Sequence, residues 1–255
     1  MIYTLQYATY TFPNQTFEIE GHRLGVDTPV TPIPRFDGGV VQRGYLAPKR
    51  FALNGKIFSN DIGSMHNSIN ILKKSIHNKG NPNYLQYRSD RRVYCQIATE
   101  GIDVVYPKGL YEHLANVRIG LVAPEPCAED VSETTVTGSR TNNSSTQSMT
   151  NSGNYPTRPV FTFVAGTWAF LNDIYVLNNA NSLYFRYQGR LTSGQTLVVD
   201  CAAGCVLLQV GVTMTDAISY LAGDLLFMLE EGSNSCVIDA ATLNYSIKYR
   251  SRWYI

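Results

Sequence analysis

Hydrophobic and polar positions alternate most clearly at the end of the chain. Leu243, Tyr245, Ile247, Tyr249, Trp253 and Ile255 are apolar or aromatic and share one parity. Asn244, Ser246, Lys248, Arg250 and Arg252 hold the other, with Ser251 and Tyr254 as exceptions. A period of two predicts a strand with one buried and one wet face. Runs bounded by Gly, Pro, Asn or Asp predict further strands at 16–24, 39–42, 50–57, 84–87, 93–98 and 116–122. Beyond residue 155 the pattern is purely β, with strands predicted at 160–164, 173–177, 183–187, 196–200, 205–210, 225–229 and 235–239. Such regular, closely spaced short strands are the signature of a two-sheet sandwich.

One segment departs from this rule. Met65, Ile69, Leu72 and Ile76 recur at spacings of four, three and four, which is one stripe of a helix. Asn60, Asp61 or Ser64 can cap its start, and Asn78-Lys79-Gly80-Asn81-Pro82 ends it. The prediction is a helix over 64–78 lying on the outside of a sheet, with His66 and His77 as surface or boundary residues. From 131 to 154 nearly every residue is Ser, Thr, Asn, Gln or Gly, flanked by Pro124, Pro126, Pro156 and Pro159. This segment reads either as a flexible linker or as a long exposed hairpin made of 132–137 and 145–150. A domain boundary follows near 128–132, giving a first domain of 1–130 and a second of 131–255. The final strand, 243–255, either completes the second domain or returns to the first.

Composition narrows the function classes. Charged residues are only 16% of the 255, while Tyr occurs 17 times. Tyr combines a large apolar body with a polar tip, which suits strands and protein contacts. A low-charge, Tyr-rich surface fits a chain covered by partners, and equally a sugar-binding surface. The net charge of +1 argues against a binder that neutralises many phosphates, and against a polybasic membrane binder. Cys95, Cys127, Cys201, Cys205 and Cys236 are odd in number and sparse, so buried free thiols are expected rather than a disulfide scaffold. Cys201 and Cys205 lack the second pair that a structural zinc site needs. The N-terminus has no basic start and apolar run, and no stretch approaches a bilayer span. The expectation is synthesis in a cytoplasm without membrane insertion.

The search for chemistry is negative. The chain has no Gly-x-Ser-x-Gly, His-Glu-x-x-His, Walker or Gly-x-Gly-x-x-Gly motif. His22, His66, His77 and His113 show no nucleophile–base arrangement, and Glu112 beside His113 would point to the opposite face of a strand. Asp173, Asp200, Asp216, Asp224, Glu230, Glu231 and Asp239 are the acids of the second domain available for a glycosidase pair, but several look like turn or strand-end acids. No catalytic, cofactor or metal residue is expected. Trp168, in Gly166-Thr167-Trp168-Ala169-Phe170, is the one candidate for an exposed aromatic contact, against a core or interface reading.

Taken in order, these pieces resemble the distal tail protein family of siphophages. The first domain shows Asp37-Gly38-Gly39-Val40-Val41, then Leu53-Asn54-Gly55-Lys56-Ile57, the single helix, and Arg91-Arg92-Val93-Tyr94. The family has a Gly-rich turn, a strand ending L-x-G-x-I, a helix and strands with a basic-aromatic start. The second domain shows Gly153-Asn154 with Pro156 and Pro159, like the family's G-N-x-P-x-x-P. Gly232-Ser233-Asn234 resembles its P-G-x-N-x-I strand, with Glu231 in place of the usual Pro. Ile247 to Trp253 is similar to its basic-aromatic last strand.

The resemblance implies a mainly β protein of two domains: an N-terminal β-barrel or sandwich with one outer helix, and a C-terminal galectin-like β-sandwich. It implies a non-enzymatic virion protein at the tail tip, forming a homohexameric ring whose bore continues the tail tube and lets DNA pass without sequence-specific binding. The expected partners are the tail tube protein and the tail-tip, fibre or receptor-binding proteins. The alternative is a β-sandwich adhesin or carbohydrate-binding module.

Overall fold

The computed structural model describes residues 6–7, 10–12, 17–20, 26–27, 30–32, 39–41, 45–46, 48–76, 83–110, 113–140, 144–166, 170–171 and 173–255. The contacts divide the chain into two units: Met1–Val131 with Tyr254–Ile255, and Ser132–Trp253.

The first unit is built on a four-stranded antiparallel sheet, in the order Gln96–Val105, Leu114–Ala123, Lys49–Phe58, Phe17–Glu20. Lys49–Phe58 and Leu114–Ala123 pair over ten residues without a slip. One parity points inward: Phe51, Leu53, Ile57, Val117, Ile119 and Leu121 are buried. They share a core with the helix Ile62–Ile76, which buries Met65, Ile69, Leu72 and Ile76. Each such side chain contributes roughly 1.5–3 kcal/mol on leaving water. The helix begins two residues before the sequence pattern places it, because Asp61 is the cap. Its carboxylate accepts the Ser64 N–H at 2.9 Å and the Ser64 hydroxyl at 2.7 Å, which holds its pKa below the usual range. The end read at 78–82 lies outside the described residues.

Gly55 pairs with Phe17 across the strands, and the Phe17 ring occupies the space a Cβ there would need. The glycine of the Leu53-Asn54-Gly55-Lys56-Ile57 motif is therefore a packing requirement. A second sheet runs Tyr10–Thr11, Gln6–Tyr7, Tyr84–Gln86, Arg91–Tyr94, Cys127–Asp130.

The second unit is a two-sheet sandwich. One sheet runs Thr134–Arg140, Leu243–Tyr249, Val160–Ala165, Gln195–Asp200, Cys205–Val210, Thr213–Asp216. The other runs Ser145–Asn151, Gly232–Ala240, Ile174–Asn178, Tyr184–Tyr187, Leu221–Gly223. The fold class read from the sequence is thus the one found.

Three sequence expectations are corrected. The polar segment is neither a linker nor a hairpin. Thr134–Arg140 pairs with Leu243–Tyr249, whereas Ser145–Asn151 pairs with Gly232–Ala240, so its strands edge different sheets. The run 225–229 is not a strand but a turn followed by one isolated bridge, Thr157 to Leu229. Its apolar content serves as a plug: Phe227 is fully buried, with ring centroids 5.3 Å from Phe161 and 5.7 Å from Phe185, one from each sheet. Finally, the last strand stops at Tyr249 and resumes as Arg252–Tyr254. The break falls where the parity fails, at buried Ser251, whose hydroxyl accepts the Ser152 N–H at 3.1 Å.

Candidate interaction surfaces

The motifs that carry the family resemblance in the second unit converge on buried polar contacts. Asn234 is fully buried in the tight turn that opens Gly232–Ala240. Its side-chain oxygen accepts the Glu230 N–H at 2.8 Å and an Asn178 amide N–H at 3.0 Å. Its own amide donates to the carbonyls of Glu230 at 2.8 Å and Gly232 at 3.1 Å. Gly232 holds a φ of +83°, open to glycine and strained for any L side chain. Asn178, also buried, donates to the Met228 carbonyl at 2.9 Å, and Asn181 joins Met228 and Glu230. On the other side, Gly153 lies so close to the Arg252 backbone that a Cβ would collide with it. Asn151 clips that turn, donating to the Tyr155 carbonyl at 2.8 Å and accepting the Gly153 N–H at 3.1 Å. Thr157 donates to the Arg250 carbonyl at 2.6 Å. Every group named here is satisfied internally, as buried polar groups must be, so these residues hold the sandwich together and offer nothing to a ligand.

Five of the seven candidate acids, Glu230 among them, have at least one oxygen engaged within the chain, and Glu231 and Asp239 are exposed. Asp173 receives the Arg186 guanidinium, with Nε 2.8 and 3.0 Å from its two oxygens. Asp200 accepts the N–H groups of Ala202 and Ala203, Asp216 that of Ile218, and Asp224 that of Tyr184. Among the described residues no cluster of three His, Cys, Asp or Glu is placed to hold a metal. All five cysteines are free, and burial pushes the thiols of Cys95, Cys201 and Cys236 up to about 12. Such thiols are unreactive. His113 Nδ1 lies 3.2 Å from the Ser59 carbonyl, while His66 is exposed beside the Tyr106 ring. His22, His77 and Trp168 lie outside the described residues.

What remains is exposed apolar surface, in two groups. In the first unit, Phe58, Ile62, Val105, Tyr106 and Leu110 are exposed. Phe58 pairs with Leu114, and Val105 with Asn116, so both lie at one end of the long sheet. Farther along that sheet's outer side, Ala52, Gly101 and Gly120 floor a shallow depression between Arg50 and Arg118. In the second unit, Val210, Val212, Met214, Ile218, Tyr220 and Leu226 are exposed within a span of 17 residues, and Val212 is 100% exposed. Sequence reasoning ended a strand at 210 and drew nothing from Val212, Met214, Ile218 or Tyr220.

Comparison with known proteins gives these surfaces a setting. Residues 152–253 match the family described as siphovirus-type tail component, C-terminal domain. No curated protein matches the sequence. Among solved structures, the chain is similar to SPP1 Dit (gp 19.1), described as a paradigm of hub adsorption apparatus in Gram-positive-infecting phages. The TM-score is 0.70 at 15% identity, covering 99% of both chains. It is also similar to a chain of the phage P2 baseplate in its activated conformation with Ca, with a TM-score of 0.51 at 8% identity over 97% of this chain and 98% of that one.

Proposed function

We propose, from the premise that residues 152–253 are a siphovirus-type tail component domain, that this chain is the distal hub of a phage tail. The match over those residues is the observation that carries the reading. The fold shared along 99% of SPP1 Dit extends the likeness to the first unit. The protein is a structural component of the virion tail tip and does its work without catalysis. Six copies close head to tail into a ring, a geometry that leaves no free contact surface around the circle. The first unit forms the ring, its bore continues the tail tube, and DNA passes without being bound by sequence. The second unit, a galectin-like sandwich, is the platform for tail-tip or receptor-binding proteins. That fold does not itself imply sugar binding.

The test is the mass of the purified chain by light scattering, with negative-stain images of the same sample. Six times 28.4 kDa, about 170 kDa, with six-fold rings and a central hole, supports the hub. A monomer at every concentration that also fails to join purified tail tubes sinks it.

A further inference from the structure

Two edge strands meet on one side of the second unit. Thr213–Asp216 is the outermost strand of one sheet and Leu221–Gly223 the outermost of the other, and Ile218–Tyr220 links them. No described strand pairs with the outer side of Thr213–Asp216, all four of whose residues are exposed. Natural edges are usually blunted by Lys, Pro or a bulge. This one has neither Lys nor Pro and sits among Val210, Val212, Met214, Ile218, Tyr220 and Leu226, all exposed. Exposed apolar side chains gathered along two linked edge strands mark an interaction site.

The charge along this stretch of the chain is one-sided, while the neighbouring strand Tyr184–Tyr187 brings Arg186, already paired with Asp173, opposite Ala222. Between Leu191 and Ile247 there is no Lys, Arg or His, and there are six carboxylates: Asp200, Asp216, Asp224, Glu230, Glu231 and Asp239. Asp200 and Asp216 lie near enough to Cys205 to add to the effect of burial in raising its thiol pKa. Asp200 and Asp216 each spend one oxygen on turn N–H groups and Asp224 one on the first N–H of the strand Tyr184–Tyr187, and none has an ion-pair partner among the described residues. Self-pairing of two such edges would oppose like charges, which disfavours a second copy.

We infer that this edge is a docking strand for another tail protein, accepting an extended segment that carries Lys or Arg between apolar side chains. The segment adds a strand beside Thr213–Asp216, covers Val212 and Met214, and places its cations over Asp200, Asp216 and Asp224. Main-chain pairing supplies affinity and the alternate side chains supply selection. The inference deepens the platform role given to the second unit above and rests on it.

The test uses the whole chain. Wild type and the double variant Val212→Lys, Met214→Lys are supplied to a phage lacking the gene, and the tails are imaged. In parallel, the purified chains are tested against overlapping peptides spanning the other tail proteins of the same virion. Both substitutions are at exposed positions, and Val212→Lys alone serves if the double variant does not fold. The expected result is tails that carry the variant hub without the distal apparatus. Wild type should capture basic, β-prone peptides, with binding weakened about tenfold by the variant and weakened by salt. Complete tails from the variant, or captured peptides that are acidic or indifferent to the substitutions, overturn the inference. So does a wild-type dimer that the substitutions dissolve, since the occupant is then a second copy. Wild-type tails that lack this protein altogether overturn the hub reading itself.

Discussion

The second unit buries asparagines at one place and exposes valine and methionine at another. Asn151, Asn178 and Asn234 are wholly buried. Val212 is wholly exposed, and Met214 half so. Both invert the usual sorting of polar and apolar residues, for opposite reasons. The asparagines stand in for backbone partners that a tight turn cannot supply, and buried amides are stable only when saturated. The exposed side chains gain nothing from the fold in which they are seen. Departures from sorting that are fully bonded therefore mark architecture, and departures that are not are where a partner is to be sought.

This contrast can be broken most severely at Asn234. Asn234→Ala strands the Glu230 N–H and carbonyl, the Gly232 carbonyl and an Asn178 amide proton. The expected cost is about 3–4 kcal/mol, read by chemical denaturation. A loss under 1 kcal/mol would show that the network is ornamental. Gly153→Ala is next, because the Arg252 backbone cannot rotate away from the added carbon as a side chain could. About 2–3 kcal/mol is expected in the same assay. Val212→Lys should move stability by no more than about 0.5 kcal/mol in either direction. A larger drop would mean that the exposed edge is held by contacts within this chain.

The smallest effect lies in the first unit and sharpens the same point, since the Asp61 cap is fully satisfied but at the surface. Its folded pKa is depressed, so its contribution is complete above the unfolded carboxylate pKa and disappears as pH falls through the folded value. Asp61→Ala should lower the melting temperature slightly at neutral pH, and the gap from wild type should close in acid. A gap that persists at low pH would assign the loss to helix propensity rather than to the carboxylate.

Much of the fold was legible because local periodicity and burial agree. The stripe Met65, Ile69, Leu72, Ile76 is buried to the last residue, and Leu243, Tyr245, Ile247 and Tyr249 all face the core. The failures arise where a residue's environment depends on strand order. Composition could not divide residues 134–151 between two sheets, since polar strands at both edges read as a linker or as each other's partners. The apolar run around Phe227 has strand composition but fills the space between the sheets. Val212 and Met214 carried no expectation, and the outermost position of Thr213–Asp216 leaves both exposed. The signal that could have found the edge, 57 residues without a basic side chain, was present in the sequence and concerns charge rather than periodicity.

The division of Thr134–Arg140 and Ser145–Asn151 between two sheets also governs the order of events during synthesis. The first strands of the second unit to leave the ribosome pair with strands made much later, as Thr134 does with Tyr249 and Ser145 with Ile238. The first unit waits longer still, because Ile255 packs against its core and donates to the Pro126 carbonyl at 3.4 Å. Pairings this distant close slowly. Both units therefore hold their early strands unpaired until distant partners have been made.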